Sequence, residues 1–247
     1  MKWKAYFDAD SESAVALIRL VDGSASDSLQ VHVGDAGQYY LQAASLDAIG
    51  DADERRSEAD VLLESLNGLA RTLDSGFEPV SPVGRFEDDD GNQVVLVGIA
   101  AEVSRAVGHF EITGGGPPEL RPLEGVFAEI IALAGTDKDV RDALRLMGMP
   151  GQHDWTQLNR IYEVVENRLD GERALMQCPW VDGAELKAFK LSANHQGVSG
   201  DEARHSRMSG EVRETSRRMN VTEGREFVSR LLRNWLESRT LQMRTPD

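Results

Sequence analysis

Leu62, Leu66, Leu69 and Leu73 recur at spacings of four, three and four, with Ala59 and Ala70 beside them. Such a stripe belongs to an α-helix with one buried face, because side chains three and four apart stack on the same side of a turn of about 3.6 residues. The charged run DADERRSE covers the first turns, so a helix is expected from about Ala52 to Leu73, ended by Gly76, Pro79 and Pro82. Its leucines must be buried against something. The runs KWKAYF, AVALIRLV, LQVHV and YYLQAAS come before it, rich in β-branched and aromatic residues and punctuated by Asp22-Gly23, Gly34 and Gly37. They read as strands, with AVALIRLV also admitting a helix. After the helix, RFEDDDGNQVVLVGIAAEV reads as a hairpin turning at Asp90-Gly91, and HFEI as a last strand.

From about Pro122 the pattern turns helical. GVFAEIIALAG is followed by DKDVRDALRLMG, where Asp137 is placed to cap and Val140, Leu144 and Met147 share a face. DWTQLNRIYEVVENRL carries a capping box, Asp154 with Gln157, and a stripe of Leu158, Ile161, Tyr162, Val165 and Leu169 before Gly171. Helices are also expected over Asp182–Leu191 and, after Thr222, over Glu223–Arg239. The fold class is therefore α+β: a mixed or antiparallel N-terminal sheet with one long helix, then a mainly helical part. Two units are expected, a small α+β domain over 1–116 and a helical domain over 122–247, joined through TGGGPPELRP; one compact domain is the competing arrangement.

The hydrophobic fraction of 40% and charged fraction of 28% are those of an ordinary globular chain. No apolar run approaches the roughly 20 residues needed to span a bilayer. MKWKAYFDAD has no apolar signal core, and the single cysteine, Cys178, has no internal disulfide partner. A cytoplasmic location is expected, with no membrane partner. The net charge of -15 opposes nonspecific nucleic-acid binding by the whole surface. The charge is uneven, however: residues 186–247 hold 12 Lys and Arg against 8 Asp and Glu.

The phosphate-binding loop GxxxxGK[ST], the zinc motif HExxH, CxxC and the GxSxG elbow are all absent. EDDDGN lacks the spacing of a calcium loop and reads as a turn. Asp182 with Glu185 and Lys187 ends like a metal-dependent nuclease core, but its surroundings are helical rather than strand-like. His153 is expected to be solvated at a helix entrance, Glu163 and Glu166 to lie on a solvated face, and Cys178 to be a packed thiol. No cofactor or metal is expected.

The segment SANHQGVSGDEARHSR, Ser192 to Arg207, concentrates two of the five histidines. Ser199 and Glu202 are spaced as a capping box, so it reads first as a helix start and second as a site. As a site, His195 and His205 would act as an acid–base pair on a phosphodiester, with Arg204 stabilising developing charge and Asn194 beside them. The leading functional expectation is a non-enzymatic intracellular binding or assembly protein with a protein partner or a second copy of itself. A metal-independent ribonuclease-like enzyme using His195, Arg204 and His205 is the alternative. A nucleic-acid-binding module using Arg204, Arg207, Arg213, Arg217 and Arg218 is the third.

Overall fold

In the computed structural model, which describes residues 2–22, 28–96, 126–194 and 217–244, strand β1 spans Trp3–Asp8. Its side chains alternate: Trp3, Ala5 and Phe7 enter the main core, while half-buried Lys4 and buried Tyr6 lie on the other face. AVALIRLV is not a strand. It lies in helix α1, Ser11–Asp22, whose buried Ala14, Leu17 and Val21 follow the helical period. The competing signal was local. Asp10 accepts from Glu12 N at 2.9 Å and Ser13 N at 2.8 Å, and this cap starts a helix despite the β-branched content.

Strands β2, Leu29–Val33, and β3, Tyr39–Ala43, form a hairpin closed by Gly34 N donating to Gln38 O at 2.8 Å. YYLQAAS is a strand only to Ala43, and the short helix α2, Ala44–Asp47, follows. Helix α3 then spans Ala52–Leu73, capped by Asp51. Strand β4, Ser81–Asp88, turns into β5, Gln93–Val95. Asp88 organises that turn, accepting from Asp90 N at 3.0 Å, Asn92 N at 2.8 Å and Asn92 Nδ2 at 2.9 Å. EDDDGN is thus a hairpin turn. The expected continuation through VGIAAEV, the strand HFEI and the TGGGPPELRP linker lie outside the described residues.

The sheet order is β2-β3-β1-β4-β5, and every neighbouring pair is antiparallel. β1 and β2 are joined by α1 across the intervening β3, and β3 and β4 by α3 across the intervening β1. These are two interlocked split β-α-β units, the ferredoxin-like arrangement, with β5 added at one edge.

The C-terminal part is helical, as its periodicity predicts. It contains α4 (Phe127–Thr136), α5 (Lys138–Met147), α6 (Trp155–Arg168), α7 (Glu172–Leu175), α8 (Gly183–Asn194) and α9 (Val221–Arg244). Asp137 caps α5, and the Asp154–Gln157 capping box starts α6. α9 starts earlier than Thr222 suggests, because Asn220 and Glu223 exchange backbone and side-chain hydrogen bonds at 2.7 and 2.9 Å. Phe189 of α8 anchors this part, with the Trp155, Tyr162 and Phe227 rings 6.0, 5.5 and 5.0 Å from its own.

α3 is the element both parts share. Ser65 to Thr72 are all buried, so this half of the helix is enclosed on every side. Towards the strands, buried Asn67 donates to Val80 O and accepts from Val80 N, both at 2.9 Å, fixing the approach to β4. Towards the helices, a Cβ on Gly68 would stand 2.1 Å from Leu144 O of α5. A Cβ on Gly148, just past α5, would stand 2.7 Å from Gly68 N. Arg71 donates to Met149 O and Gly151 O, both at 2.5 Å, and holds the loop that follows. Gly68→Ala is therefore expected to lower stability by about 1–3 kcal/mol through overpacking, against a helix-propensity gain of only about 1 kcal/mol. Urea unfolding checks this; an unchanged or raised midpoint would contradict so close a crossing.

Candidate functional site

Of the residues the sequence singles out, His195, Arg204, His205, Arg207 and Arg213 lie outside the described residues. Asn194 is the last residue of α8. Arg217 and Arg218 are exposed, and Arg217 stands 3.9 Å from Glu185, which also accepts from Arg230 at 2.8 Å. Buried Met219 N donates to Ser192 Oγ at 2.8 Å, so the chain leaves α8 and returns towards α9 at neighbouring points.

The other candidates are structural. Asp182 caps α8 through Ala184 N at 2.7 Å, and Lys187 is exposed, so the nuclease-like triplet is a helix start. Glu166 accepts from the Tyr162 hydroxyl at 2.8 Å and neighbours Lys190 at 3.9 Å. The half-buried Cys178 thiol is pushed up in pKa by burial, which disfavours the thiolate. Among the described residues, no group of three His, Cys, Asp or Glu side chains is placed to hold a metal ion.

The most distinctive surface is one the sequence reading did not isolate: the outer face of the sheet, opposite the side chains that enter the core. In register, it carries Lys4 and Tyr6 of β1, Gln30 and His32 of β2, Tyr40 and Gln42 of β3, and Arg85 and Glu87 of β4. Tyr40 lies between two rings, 5.6 Å from Tyr6 and 5.1 Å from His32. Arg85 lies 4.2 Å over the Tyr6 ring, and Lys4 lies 5.7 Å over the Tyr40 ring.

Glu87 collects the donors of this face. It accepts from Lys4 Nζ at 3.0 Å, Arg85 Nη2 at 3.1 Å, the Tyr6 hydroxyl at 3.2 Å and Gln93 Nε2 at 3.0 Å. The Lys4 ammonium beside it, helped by Arg85, holds its carboxyl below the usual range. One carboxylate therefore balances part of the cationic charge and fixes both cations against the tyrosines. The outcome is a flat array of aromatic, amide and guanidinium groups held on strands. A signal was present in the alternate positions of KWKAYF, LQVHV and YYLQA. Which of the two sets faces outward depends on the register and on which side the helices cover.

His153 is a correction. It is 3% exposed rather than solvated; its Nε2–H donates to Leu146 O at 3.0 Å, and its own carbonyl accepts from Arg225 Nε at 2.9 Å. Capping of α6 by Asp154 placed it at a helix entrance, but α9 closes over that entrance. Comparison with protein-family models, with curated proteins and with solved structures finds no match.

Burial, together with the nearby Arg71 and Arg225 charges, lowers the His153 pKa to about 4 from 6.5. Between those values the unfolded chain binds a proton that the folded chain refuses, so stability should fall as pH drops through this window. The loss should be on the order of 2–3 kcal/mol. In urea unfolding from pH 7 to pH 4, His153→Gln should flatten this part of the decline; an unchanged slope would show that other groups cause it.

Proposed function

We propose that this chain is a non-enzymatic binding or assembly protein that engages a protein partner through the outer face of its sheet. The observation that carries the reading is the half-buried Tyr40 and His32, with Arg85 and Lys4 beside them and the buried Tyr6 ring packed beneath. Tyrosine and arginine on a rigid scaffold are the side chains that contribute most at protein interfaces, because they offer large contact area at low entropic cost. The amides of Gln30 and Gln42 add hydrogen-bonding capacity without net charge.

One further reading has a specific observation behind it. Aromatic residues on the outer face of the central strands β1 and β3 are also how some antiparallel sheets stack single-stranded bases. Electrostatics favours the protein partner. Phosphate binding needs uncommitted Lys and Arg, whereas Glu87 already binds both cations of this face. The chain also carries a net charge of -15. The function is assigned here to the site rather than to the fold, since ferredoxin-like sheets serve many activities.

A photo-crosslinking residue placed at Gln42 or His32 in cells should yield a discrete protein adduct, and one at exposed Arg160 of α6 should not. Tyr40→Ala should weaken the captured complex by roughly tenfold or more. No adduct from the face, or equal adducts from both surfaces, would contradict the proposal. Oligonucleotide binding that is lost in Tyr40→Ala and falls steeply with salt would replace the protein partner with nucleic acid.

A further inference from the structure

α4 is FAEIIALAGT, with Glu129 its only charged residue. Phe127, Ile130, Leu133 and Ala134 are buried in the core, and Glu129 is taken up by Arg244, with Arg244 Nε 3.0 Å from its carboxylate oxygens. A helix apolar on nearly all sides is normally enclosed on all sides. α4 is not: Ala132 and Gly135 are exposed and Ile131 is half-buried.

These residues line a groove of about 330 Å³. α4 supplies Ala128, Ile131, Ala132 and Gly135, spaced i, i+3, i+4 and i+7. α3 faces them with Glu58, Val61, Leu62 and Ser65 at the same spacing, and Leu29 and Ala43 of the sheet also contribute. Two helical stripes of equal length, about two turns each, suit the ridge of a third helix better than a loop or an extended strand.

The groove carries one charge of each sign. Glu58 has no ion pair among the described residues. Arg141 is half-buried, and its guanidinium makes a 3.5 Å contact to Ala134 O. A second copy supplies both: its α4 covers the apolar stripe, and its own Glu58 and Arg141 answer these charges. In a two-fold contact, α4 of each copy fills the other's groove. Arg141 then meets the second copy's acid and Glu58 its base, both pairs forming at once by symmetry.

We propose that two copies of this chain associate through the α3–α4 groove, with Glu58 and Arg141 as the reciprocal pair across the interface. This deepens the assembly reading but uses a different surface, so its failure would leave adducts from the sheet face untouched. Sedimentation velocity over a wide concentration range tests it. Wild type should show a monomer–dimer equilibrium. Ala132→Arg, an exposed change, should raise the dissociation constant roughly tenfold or more, with circular dichroism unchanged. Glu58→Arg and Arg141→Glu should each weaken the dimer, and their combination should restore it. A monomer at every concentration, a dimer indifferent to Ala132→Arg, or a charge exchange without recovery would each overturn the proposal.

Discussion

The crossing of α3 and α5 at Gly68 is the constraint from which the rest of the structure follows. With a hydrogen at that position, the Leu144 carbonyl reaches the α3 backbone, and Gly148 brings the end of α5 against the same turn. Any side chain would push the helices apart and open the core at its centre. The close approach leaves little room for polar mismatch, and the buried polar groups nearby are accordingly used. Asn67 ties α3 to β4, and Arg71 ties it to the loop beyond α5. Gly224 repeats the device in α9, where a Cβ would meet the Trp155 ring of α6 at 2.7 Å.

This arrangement sorts the polar residues by role. Arg55 lies 3.8 Å over the Trp3 ring and donates to Ile49 O, and His153 and Arg225 secure the entrance of α6. Each makes its contacts inside the fold. The outer face of the sheet is different, because its partners are mutual, with half-buried Lys4, Tyr40, Arg85 and Glu87 packed around buried Tyr6. Glu87, Lys4, Arg85 and the two tyrosines organise one another. A preorganised face of this kind spends little side-chain entropy on binding, which is the physical basis of the function proposed for it.

Much of the architecture could be read from the chain. The α+β class, the full length of α3, the Asp90-Gly91 turn and the capped starts of α5 and α6 all follow from periodicity and capping chemistry, which are local. AVALIRLV was harder because its composition favours a strand while Asp10 starts a helix. The burial of His153 is not legible locally, because it comes from α9, whose Arg225 lies 72 residues later in the chain. The sheet face is hidden in the sequence for a related reason. Alternation in KWKAYF shows two sets of side chains, but only the pairing of β1 with β3 and β4 brings Tyr6, Tyr40 and Arg85 together. The histidine-rich stretch that attracts attention in the sequence falls mostly outside the described residues, and its first residue, Ser192, accepts a hydrogen bond from Met219 N.

Hydroxyl-radical footprinting of the purified protein and of the same protein inside intact cells would test the central functional claim most directly. Tyr40 and His32 should be oxidised more slowly in cells than in isolation, while exposed side chains of α6 react equally in both. Equal oxidation of Tyr40 and His32 in the two settings would mean that nothing covers the sheet, and the account of its outer face as the working surface would be wrong.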